Sequence, residues 1–167
     1  MAFALRLLFL LCGISGLVTG AWSISMVHWK VNNCPYGWTE LNCNCYIYQR
    51  EVRTFSDAES VCNILGGNLV SLHDALENAF VLELARAGDN NDVFWIGYSD
   101  QVQADTFIWT DGSLLDFTNY DPNANPAEPN PATGNCIELN EADGFWRTAA
   151  CTIEKPYVCI REVYCNI

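Results

Sequence analysis

The segment NYDPNANPAEPNPATGNCIELNEADGFWRTAAC, residues 119–151, decides how the rest of the chain is read. Pro122, Pro126, Pro129 and Pro131 fall close together in it, among Asn, Ala and Gly. Proline fixes φ and removes a backbone donor, so this piece is neither a helix nor a central strand. It reads as a long, stiffened surface loop. Loops of this length inside a compact domain are either functional or disordered. Cys136 and Cys151 bracket the far end, which argues for order, and Glu128 and Asn130 become the side chains whose purpose has to be explained.

Working outward, the cysteines set the chemistry of the scaffold. There are nine, and Cys12 lies within residues 1–20, where a short segment carrying Arg6 leads into an apolar run that closes on Val18-Thr19-Gly20. That stretch reads as a secretory signal peptide, because it is too short and too interrupted by Gly13 and Gly16 for a comfortable membrane span, an uncleaved anchor being the weaker alternative. Without it eight cysteines remain: Cys34, Cys43, Cys45, Cys62, Cys136, Cys151, Cys159 and Cys165. An even number behind a secretory leader predicts four disulfides, and no Cys-x-x-Cys pair supports zinc. Count alone leaves the pairing open.

Charge excludes several partners. Without Arg6, seven Lys/Arg face twenty Asp/Glu. A surface that acidic repels phosphate backbones and anionic bilayers, so neither nucleic acid nor membrane is an expected partner. The residues left after the leader suit one domain with a sizeable core.

The remaining segments alternate between helical and strand patterns. Residues 21–33 form an extended lead-in, and Cys34-Pro35-Tyr36-Gly37-Trp38 is a turn. Tyr46-Ile47-Tyr48 reads as a strand. A first helix spans 54–65, capped by Thr54 and burying Ala58, Val61, Cys62 and Leu65, with Gly66-Gly67 stopping it. Residues 68–72 form a short strand. Asp74 and Glu77 have capping-box form and open a second helix with Leu76, Phe80 and Leu84 on its buried side, ending at Gly88. After an acidic turn at 89–92, the run VFWIGY at 93–98 is the expected central strand. Further strands are expected at 107–109, 137–139, 145–146 and 157–160. Early helices and late strands give an α+β domain.

With these residues in hand, the chain from Cys34 to Arg161 resembles the C-type lectin-like domain. The resemblance rests on Cys34-Pro-x-Gly-Trp38, Cys45-Tyr46, Ala58-x-x-x-Cys62, Leu65-Gly-Gly-Asn-Leu69 and Trp95-Ile96-Gly97. It continues through Trp109-Thr-Asp-Gly112, Glu128-Pro129-Asn130, Cys136, Trp146 and Cys151/Cys159. Small secreted fish lectins and type II antifreeze proteins look similar. The resemblance implies a domain over 34–165, two helices packed on antiparallel strands, and a long disulfide-bracketed loop. It implies the pairs Cys34–Cys45, Cys62–Cys159 and Cys136–Cys151. It leaves Cys43 with Cys165, in a fold whose first and last strands lie side by side.

In sugar-binding members of that family one calcium ion is held by the Glu-Pro-Asn carboxylate and amide. An acid two residues before the next Cys and an Asn-Asp pair after the Trp complete the protein ligands. Glu128 and Asn130 match, with a cis Pro129, in the version that goes with mannose-type sugars. Gly134 stands where the second acid belongs, and Arg147 and Thr148 replace Asn and Asp. Calcium needs six to eight oxygens. No metal or other cofactor is therefore expected here, and were calcium to bind, Glu128 and Asn130 would be its ligands. The expected substitute is the Arg147 guanidinium, paired with Glu128.

The candidate carbohydrate-binding residues are thus Glu128, Pro129, Asn130, Arg147, Thr148 and Tyr120, the last either stacking on a sugar ring or packing inside. Glu138, Glu141, Asp143 and the 89–92 turn read as solvated charges, and His28 and His73 as ordinary surface and helix-start residues. Trp95, Trp109 and Trp146 read as core. No catalytic motif is present, so an enzyme is not expected. The expectation is a secreted, extracellular carbohydrate-binding protein with glycan or glycoprotein partners, gaining avidity through homo-oligomerisation. The alternative is a calcium-independent binder of something other than sugar, either ice or a protein partner, on the same scaffold.

Overall fold

The computed structural model describes residues 34–88, 93–103 and 106–165. The expected leader at 1–20, the lead-in with His28 and the acidic turn at 89–92 lie outside the described residues. Strands β1 (Thr39–Leu41) and β2 (Asn44–Arg53) form a hairpin, followed by helix α1 (Phe55–Ile64) and the short strand β3 (Asn68–Leu69). Helix α2 (Ala75–Gly88), β4 (Val93–Ser99), β5 (Ile108–Trp109), β6 (Cys136–Asn140), β7 (Trp146–Ala149) and β8 (Lys155–Glu162) complete the described elements.

The sheet runs β1-β2-β8-β4-β6-β7, with β3 added on β8 and β5 on β4. It is mixed rather than antiparallel throughout, because β4 and β8 run parallel at Trp95–Tyr157. The last strand also pairs with β2, not with β1. That still brings Cys43 to Cys165, since Val163 N–H bonds to the Cys43 carbonyl. The other bridges are Cys34–Cys45, Cys62–Cys159 and Cys136–Cys151. Cys62–Cys159 joins α1 to the middle of the sheet across 97 residues.

Helix α1 starts where its sequence says it should: Thr54 Oγ1 accepts the Asp57 N–H. Helix α2 is slightly rotated from the expected face: Phe80 and Leu84 pack, partly buried, against the core, but Leu76 does not. Leu76 is 58% exposed, and the buried residues are Glu77, Asn78, Val81 and Ala85. Polar groups explain the rotation. Asn78 Oδ1 accepts the Trp146 indole N–H at 2.7 Å, and its amide reaches the Gly144 carbonyl at 3.3 Å. A buried indole N–H needs such a partner, so a polar side chain takes a core position. Glu77 folds back on the helix start, accepting the His73 N–H, while Asp74 caps the Glu77 N–H.

Strand β4 is buried from Phe94 to Ser99, as a central strand covered on both faces must be. Trp95, Trp109 and Trp146 are all core. Glu138, expected to be solvated, instead lies 2.8 Å from Lys155, both side chains being largely buried, and the Lys155 ammonium sits 4.9 Å from the Trp95 ring centroid. Glu141 is buried as well, and its carbonyl accepts from Arg86. Lys155 is far from Glu138 in sequence, as Arg86 is from Glu141, so both contacts follow from the fold.

Candidate functional site

The long loop is carried on the β6–β7 hairpin. Its entrance is stitched to β7: Trp146 N–H donates to the Asn119 carbonyl at 2.9 Å, and Asp121 N–H to the Trp146 carbonyl at 3.4 Å. The Asn119 amide donates to the Gly144 carbonyl at 2.8 Å. Its exit is closed by the Cys136–Cys151 bridge. Between these ends Asn125–Pro126 and Glu128–Pro129 are cis.

At the tip, Glu128 and Thr148 form a closed network. Glu128 Oε2 accepts the Asn130 N–H at 3.0 Å, the Thr148 N–H at 3.0 Å and the Thr148 hydroxyl at 2.6 Å. Thr148 is 6% exposed. A hydroxyl has one proton, and a carboxylate is the strongest acceptor on offer, so Thr148 gives its proton to Glu128. Thr148 Oγ1 then accepts from Asn130 N–H at 3.2 Å or from Thr133 Oγ1 at 2.6 Å. Thr133 also reaches the Asn130 carbonyl at 2.8 Å, and Asn130 Oδ1 accepts the Ala132 N–H at 3.2 Å.

Arg147 does not pair with Glu128, which corrects the expectation from sequence. Its guanidinium lies 2.6 Å from both Asp121 Oδ2 and Asp143 Oδ2. The reason is strand geometry: successive residues point to opposite faces, so Thr148 reaches Glu128 and Arg147 cannot. The hairpin turn brings Asp143 to Arg147, and the stitched loop entrance brings Asp121. Arg147 thus ties the loop entrance to the hairpin tip.

The Arg147 hydrogen bond holds the Asp143 carboxyl below its ordinary value of 3.8. A depressed carboxyl stabilises the fold above its unfolded value and loses that contribution as pH falls through the folded one. Replacing Arg147 with Ala should therefore lower stability by about 1 kcal/mol at neutral pH, given the partial exposure of the cluster. The difference from wild type should shrink in urea melts below pH 3.8. A pH-independent difference would contradict the assignment.

Tyr120 is half-buried and packs edge-on against Trp146 at 5.8 Å. It shares a hydrogen bond with Tyr98, and burial pushes its hydroxyl pKa up. Its aromatic face is used inside the protein. Pro129 is exposed at the loop tip.

The residues present do not fit calcium. Glu128 Oε2 is filled by three protein donors, and Asn130 Oδ1 is engaged by the loop. A Cβ at Gly134 would meet the Ala149 carbonyl carbon and oxygen at 2.0 Å and Ala150 N at 2.4 Å. An acidic side chain has no way into that position without displacing β7. Among the described residues no cluster of three His, Cys, Asp or Glu side chains is placed to hold a metal.

A disulfide-bridged α+β fold with a proline-braced loop between β5 and β6 defines a C-type lectin-like protein. The family model for the lectin C-type domain matches residues 51–161, and the chain belongs to that family. It is similar to lactose-binding lectin l-2 of Anguilla japonica, 35% identical over 130 residues, covering 76% of this chain and 77% of that protein. It is also similar to a type-2 ice-structuring protein of Hemitripterus americanus, 31% identical over 128 residues, covering 76% and 74%. Human lithostathine superposes with a TM-score of 0.70 at 30% identity, covering 78% of this chain and 91% of that one. No helix among the described residues is long and apolar enough to cross a membrane.

Proposed function

We propose that this protein is a secreted lectin that binds glycans through the Glu128-Pro129-Asn130 loop without calcium. The observation that carries the reading is the filling of Glu128 Oε2 by the Thr148 hydroxyl and two backbone N–H groups. That network does for the loop what a cation does elsewhere: it fixes the carboxylate and removes the need for a counter-ion. The described network engages Glu128 through Oε2 and Asn130 through Oδ1, leaving Glu128 Oε1 and the Asn130 amide nitrogen as an acceptor and a donor for vicinal sugar hydroxyls. Similarity to a lactose-binding lectin supports a glycan ligand. Secretion is part of the same reading and rests on the leader expected at 1–20. Two direct hydrogen bonds give weak binding, so oligomerisation would supply avidity.

The test is retention on lactose, galactose and mannose resins, each run in calcium and in EDTA. The expected result is retention that EDTA leaves unchanged. Elution by EDTA would show that a metal is needed. Failure to bind any glycan, with thermal hysteresis in the same preparation, would favour the ice-binding reading suggested by the second relative.

A further inference from the structure

A second concave site lies outside the loop. It is a groove of about 420 Å³ between the α1–β3 turn, the end of β8 and the segment after β5, and it shares no lining residue with 119–151. Its size falls within the range of small-ligand sites. Three features show it to be preorganised. Asp111 is held on both oxygens: Oδ2 accepts from Ser71 Oγ at 2.6 Å, and Oδ1 accepts from the Ser113 N–H at 2.9 Å and hydroxyl at 2.6 Å. Ser71 is itself 2% exposed, whereas Asp111 is exposed. On the opposite wall the Asn68 amide is anchored to Glu59 Oε1 at 2.7 Å, which leaves its carbonyl oxygen as an acceptor. Arg161 is steadied by the Leu65 carbonyl at 3.4 Å and by the Trp38 ring, 5.9 Å from its guanidinium carbon.

Between these walls the lining includes Gly66 and Gly67, where no side chain intrudes. Gly66 has φ +84°, and a Cβ on Gly67 would sit 1.9 Å from the Ile160 carbonyl oxygen, so the backbone holds both positions to glycine where this turn packs on β8.

The charge arrangement selects the ligand. A simple cation attracted by Asp111 and Glu162 would meet the Arg161 guanidinium in the same groove, and a simple anion drawn to Arg161 would meet the two carboxylates. Fixed acceptors and donors of both signs around one opening suit an uncharged molecule with many hydroxyls, each of which both donates and accepts. We infer that this groove is a second saccharide subsite, taking an uncharged sugar residue through Asp111, Asn68 and Arg161. It does not depend on the loop reading, and occupancy of both sites by one branched or extended glycan would raise avidity.

The experiment is a titration of ¹⁵N-labelled protein with lactose, and separately with methyl mannoside, followed by amide chemical shifts. The expected result is a set of shifts at Asn68, Ser71, Ser113 and Glu162 in wild type and in Glu128→Gln. In Asp111→Asn the same shifts should require roughly tenfold more sugar, the loss of one charge-assisted hydrogen bond. Should Asp111→Asn misfold, Arg161→Met serves as the second variant, with the same expectation. Shifts confined to 120–148 would overturn the subsite while leaving the loop reading intact. Shifts confined to the groove would support the subsite and count against the loop. An absence of shifts with either sugar, or shifts with glucosamine or glucuronate alone, would overturn the subsite.

Discussion

Gly134→Glu, which restores the family's acid two residues before Cys136, is expected to lower stability by about 3 kcal/mol or more and to create no calcium site. Any side chain at 134 begins with a Cβ, and that atom would lie 2.0 Å from the Ala149 carbonyl. Relief requires the loop or β7 to move. Cys136 pairs in register with Ala149, and the Cys136–Cys151 bridge ties the same residue to the chain just beyond β7. Neither side of the clash is a flexible side-chain tip, so the cost is a backbone displacement rather than a rotamer change. For a domain of this size the loss corresponds to roughly 10 °C in Tm. Calorimetry with calcium should show no heat of binding for Gly134→Glu, nor for the triple variant that adds Arg147→Asn and Thr148→Asp. The double variant Arg147→Asn/Thr148→Asp, with glycine kept at 134, separates the steric effect from the loss of the loop network. A triple variant that melts near wild type and binds calcium would show that the site had merely lost its ligands. Its backbone would then still be that of a cation site.

The sequence revealed the scaffold well because its signals are local or carried by cysteine. Thr54 capping α1, the apolar run at 93–98 and the tryptophans in the core all follow from short-range pattern. What escaped is what depends on distant partners. Helical spacing places Leu76 in the core, yet Asn78 is buried there instead because Trp146, far along the chain, needs an acceptor. Glu138 looks solvated in the sequence because nothing nearby neutralises it, whereas β8 delivers Lys155 across the sheet. At the site the sequence exposed the departure from the calcium pattern but named the wrong substitute. Strand alternation puts Arg147 and Thr148 on opposite faces of β7, which leaves the Thr148 hydroxyl as the group facing Glu128. The Asp111 groove had no sequence signal, since its residues come from segments that only the sheet brings together.

Removing the Glu128 carboxylate should unfasten the loop more than removing any cation would. In Glu128→Ala the N–H groups of Asn130 and Thr148 and the Thr148 hydroxyl lose their shared acceptor. Each buried donor left unpaired costs about 1–3 kcal/mol. Thr148 Oγ1 can turn its proton to the Asn130 carbonyl at 3.0 Å, which recovers part of the loss. The expected net change is about 3 kcal/mol in urea unfolding. Glu128→Gln keeps an acceptor oxygen in the same place and should cost about 1 kcal/mol, the difference between a charged and a neutral acceptor. Thr148→Val keeps the shape and removes the hydroxyl, and should fall between the two. EDTA should move none of the four proteins, wild type included. The ordering is the diagnostic part. A loop held by a metal would show both glutamate variants collapsing onto the EDTA-treated wild type, because all three would lack the same ion. A loop held by hydrogen bonds alone gives three different stabilities and no response to chelator.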